Sequence, residues 1–395
     1  MSKDKPILWY SDGMHVLSGF GKVTRNVVLR LANLGWKIIC YNRELLYGHA
    51  YLGNVLNLAS AGEGTEALLI PMYCKFFNIE YMITLYDCWA MKWIDKVLEQ
   101  VPKLKWFAYE PIECPLDESM EQKVKPLEKA TKIIAMSQFG FRELLKLFPE
   151  DKLAYIPHGV DTKLYRILPD EERRKARESF GFSEHHVVFG FIGVNWGDRK
   201  GIPELMKAFS IFIENNPDAR KEVYLLMWTN EAPAEGKSYG IFQLAKKYGI
   251  TSNVKVPEWQ PPQLFYMEND MVTVYNVIDC FVTCSRGEGF GLPTLEAHAC
   301  GRPVIAPKNS TFPELVVTSE LLCRVVTTVV PITYPPHGEF PIVDVYDVAD
   351  KMAKVYNNVH YYRKIAHSIR EKVLMYDYDV IVKKYWVPFL EKNIE

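Results

Sequence analysis

Short apolar runs alternate along the first part of the chain with a segment in which apolar residues recur at helical spacing. Over residues 23–34 the apolar positions fall every three or four residues, which places them on one face of a helix. Short apolar runs before and after this helix, and two later ones, are typical of buried strands. These runs cover residues 7–10, 37–41, 81–85 and 132–136. The pattern predicts a β-α-β opening and one parallel α/β unit over roughly the first 150 residues.

A second unit with the same order of elements follows. Pro157 and Gly159 interrupt the pattern, and a charged segment comes after them. The apolar run 187–193 then predicts a buried strand, followed by a helix over 203–214 and a strand over 223–227. We therefore expect two Rossmann-like domains with parallel sheets, which bind ligands beyond the carboxyl ends of their strands.

The predicted domains are residues 1–157, residues 158–372, and a helical segment over 373–395 that could cross back to the first domain. A chain of 395 residues is long enough for about two domains of ordinary size, which agrees with the two tandem β-α-β units. Apolar residues make up 48% and charged residues 24% of the chain, which is enough apolar material for two cores.

The net charge and the cysteine content limit the kinds of partner and the cellular compartment that we expect. The net charge of −1 lacks the positive excess with which proteins attract nucleic acid, so we predict no nucleic-acid partner. The eight cysteines are scattered without metal-ligand spacing, which favours reduced thiols and a cytoplasmic location. The apolar run 7–10 is shorter than a signal-peptide core, which argues against secretion. No apolar stretch approaches the roughly 18 residues of a membrane span, so any membrane contact is expected to be peripheral.

Candidate chemistry is concentrated in residues 285–301, between two predicted strands at 278–283 and 304–306. Three glycines, Gly287, Gly289 and Gly291, let the backbone approach a ligand, and Pro293 suits the first turn of a helix. A glycine loop that opens a helix directs N–H groups at an anion, as a diphosphate site requires. Two carboxylates in this stretch could accept hydrogen bonds from sugar or ribose hydroxyls.

Several motifs resemble the retaining nucleotide-sugar glycosyltransferases of family 4, also known as glycosyl transferases group 1. Residues 287–305 resemble their Glu-x7-Glu signature, and residues 18–21 (Ser-Gly-Phe-Gly) their N-terminal glycine loop. Residues 156–161 are similar to their interdomain entry, residues 198–201 (Asp-Arg-Lys-Gly) to their basic diphosphate motif, and residues 312–315 to a downstream segment. The resemblance implies an α/β fold of GT-B type, two Rossmann-like parallel-sheet domains facing across a cleft. It also implies that residues 1–157 form the acceptor side and residues 158–372 the nucleotide-sugar donor side.

The resemblance also implies roles for individual residues. Glu288 would contact the donor sugar, while Arg199 and Lys200 would neutralise the leaving diphosphate, since preorganised cations stabilise charge that develops on phosphate. Many relatives carry an arginine where this chain has Val194, and Arg199 could supply that charge. Asp87, at a predicted strand end, is a candidate on the acceptor side. The residues expected to bind the donor are Gly19, Gly21, Asn195, Phe290, Gly291, Leu292, Pro293, Thr294 and Glu296.

The implied reaction moves a sugar from a nucleotide-diphosphate-sugar to an unidentified acceptor, a glycan, lipid or small molecule, with retention at the anomeric carbon. The nucleotide-sugar is a co-substrate whose base stays open, and no cofactor or metal is expected if protein cations supply the positive charge.

Two alternatives remain at this stage. A dinucleotide-dependent oxidoreductase would use the Gly19-x-Gly21 loop with Glu44 as the ribose acid, although a third glycine is missing. A non-catalytic nucleotide-sugar-binding relative would keep the fold alone. The aromatic and lysine-rich stretch 89–109 could rest on an anionic membrane, contact an acceptor sugar, or form a half-buried helix pair.

Overall fold

The predicted strands form two separate sheets, one in each of two structural units. A computed structural model describes residues 2–44, 47–195, 197–229, 238–257, 268–330 and 338–395. One unit comprises Met1–Ile112, Leu116–Gly159 and Tyr376–Glu395, and the other Glu113–Pro115 and Val160–Met375. The sequence prediction divided the chain after residues 157 and 372, and it did not anticipate the three residues 113–115 that belong to the second unit.

The elements are numbered in chain order. The strands are β1 (Ile7–Ser11), β2 (Ile38–Asn42), β3 (Ala50–Leu52), β4 (Val55–Leu58), β5 (Tyr81–Leu85), β6 (Lys105–Glu110), β7 (Lys132–Ala135), β8 (Leu153–Tyr155), β9 (Val187–Ile192), β10 (Val223–Trp228), β11 (Val254–Lys255), β12 (Cys280–Val282), β13 (Val304–Pro307), β14 (Leu322–Cys323), β15 (Val325–Val329) and β16 (Phe340–Val343). The α-helices are α1 (Gly19–Asn33), α2 (Glu66–Phe77), α3 (Ile94–Gln100), α4 (Glu118–Val124), α5 (Gln138–Leu144), α6 (Asp170–Ser179), α7 (Ile202–Asn215), α8 (Ile241–Lys247), α9 (Glu268–Val277), α10 (Leu292–Ala299), α11 (Phe312–Leu315), α12 (Val345–Asn357), α13 (Val359–Lys364), α14 (Ala366–Glu371), α15 (Tyr378–Ile381) and α16 (Val387–Asn393).

The sheet of the first unit has, among the described residues, the strand order β3-β4-β2-β1-β5-β6-β7-β8. Its pairings are parallel except for β3, which runs antiparallel to β4 at the edge. β1 and β5 are buried along their whole length, as their continuous apolar sequences predict for strands covered on both faces.

The C-terminal segment belongs to the first unit. The Trp386 ring, which is fully buried, lies 5.3 Å from Trp9 of β1 and 5.1 Å from Tyr109 of β6, measured between ring centroids. Large aromatic rings gain most of their stabilising energy from such burial. The end of the chain is therefore part of the core of the unit that contains its beginning.

The second unit repeats the arrangement with a six-stranded sheet in its described part, ordered β11-β10-β9-β12-β13-β14. Neighbouring strands in this order pair in parallel. The apolar face of α7, including Phe209 and Phe212, packs on Phe189 of β9. β15 and β16 form a separate antiparallel pair.

Candidate functional site

Two loops of the second unit follow neighbouring strands at the point where the strand order reverses. β9 lies between β10 and β12, so the loops after β9 and β12 leave the carboxyl edge of the sheet side by side. Ligands of open parallel sheets bind at such positions. Arg199 and Lys200 lie in the loop after β9, and Glu288 lies in the loop after β12. The fold thus brings together the three residues predicted to be catalytic.

The backbones of the two loops are joined directly. The Arg286 N–H donates a hydrogen bond to the Arg199 carbonyl oxygen at 2.7 Å, and the Ser285 hydroxyl donates to the same oxygen at 3.3 Å. Gly201, which precedes α7, has a φ of +62°, and a Cβ atom there would lie 2.1 Å from the Cys284 carbonyl oxygen. Only glycine fits both the conformation and the close approach. This contact fixes the backbone of the loop that carries the two cations.

Four charged side chains form a continuous chain of ion pairs across these loops. Lys200 Nζ lies 2.6 Å from Glu288 Oε1, and Arg199 Nη1 lies 3.4 Å from Glu288 Oε2. The same Arg199 nitrogen lies 2.7 Å from Glu113 Oε1. All four side chains are between 13% and 17% exposed. Two cations and two carboxylates thus neutralise one another in a largely buried place.

The ionisation of this group follows from burial and from its partners. Burial alone would raise the pKa of Glu288, but the Lys200 and Arg199 cations overcome that effect and lower the pKa to about 2. Burial, together with the neighbouring Arg199 charge, lowers the pKa of Lys200 against the opposing pull of Glu288. Glu288 is therefore an anion at neutral pH, able to accept hydrogen bonds.

The N-terminus of α10 lies immediately after the Glu288 loop. Gly291 caps it with a φ of +96°, and Pro293 occupies its first turn as predicted. The Phe290 carbonyl oxygen accepts a hydrogen bond from Thr311 Oγ1 at 2.7 Å, which fixes the approach of the loop to the helix. Residues 290–294, all predicted to bind the donor, therefore surround the positive end of the helix dipole.

Glu296 lies inside α10 and is only 3% exposed. Tyr275 donates its hydroxyl hydrogen to Glu296 Oε2 at 2.7 Å. Burial and the Glu296 charge raise the pKa of Tyr275 well above its usual value, so the tyrosine keeps its proton. Tyr275 thus orients a carboxylate whose role the resemblance implied, and the sequence contained no signal for this tyrosine.

Asn195 and Val194 occupy the beginning of the loop after β9. The Asn195 side-chain amide donates to the Tyr239 carbonyl oxygen at 2.6 Å, and its oxygen accepts from the Tyr239 N–H at 3.0 Å. This pair of bonds places Asn195 as a brace between two segments of the second unit. Val194 is 41% exposed, and the guanidinium that contacts Glu288 belongs to Arg199.

Gly19 and Gly21 lie in the first unit, at the start of α1. The Ser18 hydroxyl caps this helix by accepting a hydrogen bond from the Gly21 N–H at 3.0 Å. A Cβ atom on Gly21 would lie 2.3 Å from the Val16 carbonyl oxygen. Local packing therefore explains the glycine at position 21, and donor binding by Gly19 and Gly21 stays a prediction.

Asp87 follows β5 in the first unit, beside a buried acid that sequence reasoning missed. The Cys88 N–H donates to Glu110 Oε1 at 3.0 Å, while Glu110 Oε2 has no hydrogen-bond partner within the described ranges. Burial raises the pKa of Glu110 to about 8, and the Asp87 charge adds to the increase. An acid at the end of an apolar strand is a weak signal, because most such acids are solvated.

Glu44, the ribose acid of the oxidoreductase alternative, is engaged by its own unit. Its Oε2 accepts a hydrogen bond from the Gly13 N–H at 2.8 Å, and its Oε1 lies 3.5 Å from Arg43. Arg43 also pairs with Asp12 at 2.9 Å, between Nε and Oδ1. Glu44 therefore braces the loop after β1.

The stretch 89–109 does not form the aromatic surface that one interpretation of its sequence required. Trp106 and Phe107 lie on β6 and are fully buried, and Trp106 Nε1 donates to Thr84 Oγ1 at 2.9 Å. The Trp93 ring lies 4.8 Å from Tyr10 and is partly buried. The prediction of a surface is wrong for Trp106 and Phe107, because strand alternation in a doubly covered sheet buries both faces.

Within the described ranges no group of three or more His, Cys, Asp or Glu side chains is placed to hold a metal ion. Nor does that part of the chain contain a helix long and apolar enough to cross a membrane. All eight cysteines are buried and unbridged, as their spacing predicted.

The residues of the site lie within a segment that matches a family model. Residues 172–328, which include Arg199, Lys200, Glu288 and Glu296, match the model of the family described as Glycosyl transferases group 1. A D-inositol 3-phosphate glycosyltransferase from Corynebacterium aurimucosum is 24% identical over 256 residues, which cover 61% of this chain and 59% of that protein. This chain therefore covers less than two thirds of the relative's length.

Solved structures share the fold over nearly the whole chain. The sucrose-phosphate synthase of Thermosynechococcus elongatus has a TM-score of 0.75 at 18% identity, and covers 98% of each chain. The Anabaena protein Alr3699/HepE, solved in complex with UDP-glucose, has a TM-score of 0.73 at 14% identity, with coverage of 98% of this chain and 99% of that one. These likenesses confirm the predicted α/β fold of GT-B type with two Rossmann-like domains.

Proposed function

Because residues 172–328 match the model of the glycosyl transferases group 1, we propose that this chain transfers a sugar from a nucleotide-diphosphate-sugar to an acceptor hydroxyl with retention at the anomeric carbon. The observation that carries the proposal is the convergence of Lys200, Arg199 and Glu288 beside the N-terminus of α10. A buried anion, two cations and a helix dipole at a strand switch point match what a sugar diphosphate presents, hydroxyls at one end and phosphate charge at the other.

In the proposed reaction the bond between the anomeric carbon and the β-phosphate oxygen breaks, and the acceptor oxygen bonds to that carbon on the same face. The acceptor hydroxyl proton passes to the departing phosphate oxygen. Lys200 and the α10 N-terminus stabilise the charge that develops on this phosphate, with Arg199 beside them. Because these groups supply positive charge, the reaction is proposed to proceed without a metal.

The two carboxylates of the site have separate roles in this proposal. Glu288, ionised at neutral pH, accepts hydrogen bonds from donor-sugar hydroxyls. Glu296, oriented by Tyr275, accepts hydrogen bonds from the ribose hydroxyls. Asp87 is proposed to contribute to the acceptor side from the first unit, and the acceptor itself is assigned only as a hydroxyl compound.

A panel of donors tests the proposal. Release of free nucleoside diphosphate is measured with UDP-glucose, GDP-mannose and ADP-glucose, in the presence and absence of EDTA, and NADPH binding is measured alongside. We expect turnover of one donor that EDTA does not change and that Lys200→Ala and Glu296→Ala abolish. Glu178→Gln, which removes an exposed ion pair with Arg174 on α6, is the control and should behave like the wild type.

Binding of NADPH without turnover of any nucleotide-sugar would contradict the proposal and favour the oxidoreductase alternative. Donor binding without turnover across a range of acceptors, including D-inositol 3-phosphate from the name of the Corynebacterium relative, would favour a non-catalytic binding protein.

A further inference from the structure

Glu113 is the residue of the ion-pair chain that no sequence motif contains. It lies 86 residues before Arg199 in the chain, in the segment Glu113–Pro115 that belongs to the second unit. Its carbonyl oxygen would lie 2.2 Å from a Cβ atom on Gly287, so its backbone also packs against the loop after β12. The Glu113 segment therefore contacts both loops, the loop after β12 through its main chain and the loop after β9 through its side chain.

Arg199 and Lys200 differ in how strongly they are held. Arg199 Nη1 contacts Glu113 Oε1 at 2.7 Å, the Gly287 carbonyl oxygen at 3.1 Å and Glu288 Oε2 at 3.4 Å. Lys200 Nζ, by contrast, has Glu288 Oε1 as its one hydrogen-bond acceptor in the part of the chain that the structure describes. A lysine ammonium on a flexible stem changes partner more readily than a guanidinium fixed at several points.

We propose that Glu113 is a positioning residue that holds Arg199 as a fixed brace of the loop after β12, so that Lys200 is the cation that exchanges Glu288 for a diphosphate. This inference rests on the proposed function, since it names the diphosphate as the ligand. The exchange would also open one acceptor position on Glu288 Oε1, which lies 2.8 Å from Ser285 Oγ as well, for a hydrogen bond from a donor-sugar hydroxyl. Binding of the diphosphate by Lys200 would therefore also make Glu288 available to the donor sugar.

The proposal predicts opposite effects for two acids that each pair with a neighbouring cation. Glu288→Gln removes the partner that competes for Lys200, so affinity for inorganic pyrophosphate should rise by about tenfold. Glu113→Gln removes the brace of Arg199, so affinity for the same probe should fall by about tenfold. If Glu113 only neutralised Arg199, its removal would instead leave Arg199 available for phosphate, and binding would become tighter.

Isothermal titration calorimetry of the full chain with pyrophosphate measures both effects, with Glu178→Gln as the matched control. Arg199→Gln should weaken binding as much as Glu113→Gln, and the double variant no more than either single change, because the two residues act as a unit. Thermal unfolding of each variant verifies that it folds. If Glu113→Gln does not fold, Arg199→Gln and Glu288→Gln still test the predicted opposite signs.

Tighter pyrophosphate binding by Glu113→Gln or by Arg199→Gln overturns the proposal, as does a wild-type chain that binds no pyrophosphate. The failure of the proposed function has a different signature. In that case pyrophosphate binds with the predicted pattern of variants, but no nucleotide-sugar is bound or turned over.

Discussion

Glu110 should make the stability of the protein fall as pH rises, and its replacement by glutamine should remove that dependence. The residue lies at the end of β6, 2% exposed, and burial together with the Asp87 charge raises its pKa from 4.5 to about 8. Between these two values the folded chain keeps a proton at Glu110 that the unfolded chain has released. The free energy of unfolding therefore decreases across this interval as pH rises, and it levels off above the folded-state pKa.

The size of the effect follows from the difference between the two pKa values. One pH unit of differential protonation corresponds to about 1.4 kcal/mol, so the interval corresponds to roughly 3 to 5 kcal/mol for this single group. Glu110→Gln has no proton to release. Relative to the wild type, the variant should gain stability by this amount between about pH 5 and about pH 9.

Urea unfolding followed by intrinsic fluorescence at a series of pH values measures the difference. Glu121→Gln, an exposed glutamate of α4 in the same unit, is the control and should give a curve parallel to that of the wild type. Asp87→Asn should reduce the pH dependence in part, because it removes one cause of the raised pKa. Parallel curves for Glu110→Gln and the wild type would refute the reasoning, since Glu110 would then titrate alike in both states.

Two further predictions concern the second unit. Gly201→Ala should lower the free energy of unfolding by more than the roughly 1–2 kcal/mol that a left-handed alanine costs, since its Cβ atom would overlap the Cys284 carbonyl oxygen. Gly249→Ala, with a φ of +66° and no atom within 4 Å of the added Cβ, is the matched control, and equal losses in thermal unfolding would contradict the steric argument. Tyr275→Phe removes the hydroxyl that donates to a buried oxygen of Glu296, so it should cost about 1–3 kcal/mol and weaken nucleoside binding in calorimetry. Loss of stability with unchanged nucleoside affinity would limit Tyr275 to a structural role.

The elements of the fold could be predicted because the signals for them are local. The strand predicted over 81–85 coincides with β5, and the helix predicted over 203–214 differs by one residue at each end from α7. The strand predicted over 278–283 is longer than β12, since residues flanking a strand can be buried without pairing. A run of apolar residues indicates which residues are buried, and the buried stretch is longer than the part that forms strand hydrogen bonds.

The glycines and the acids of the site differ in what the sequence reveals. Gly291 was predictable because a positive φ before a helix is a local demand that few residues meet. Glu113 and Tyr275 were not, since their partners lie 86 and 21 residues away and meet them only in the folded chain. Neither a single carboxylate in a loop nor a single hydroxyl on a helix belongs to a periodic pattern that would identify its partner.

The arginine of the site shows that the position of a residue within a motif does not by itself predict where its charge lies in the fold. The resemblance predicts an arginine directly after the strand glycine, where this chain has the half-exposed Val194. The guanidinium that contacts Glu288 instead comes from residue 199, later in the same loop, because the Gly201 contact with Cys284 turns the loop back onto β12. An ion pair depends on the distance between the charges and not on their order in the sequence. A loop that folds back in this way can therefore supply the cation from position 199 instead of position 194. At this later position the arginine also forms an ion pair with a second carboxylate, that of Glu113. The loop thus keeps a guanidinium next to Glu288, but this guanidinium is held at several points. Lys200, whose one acceptor within the described ranges is Glu288, is the less restrained of the two cations.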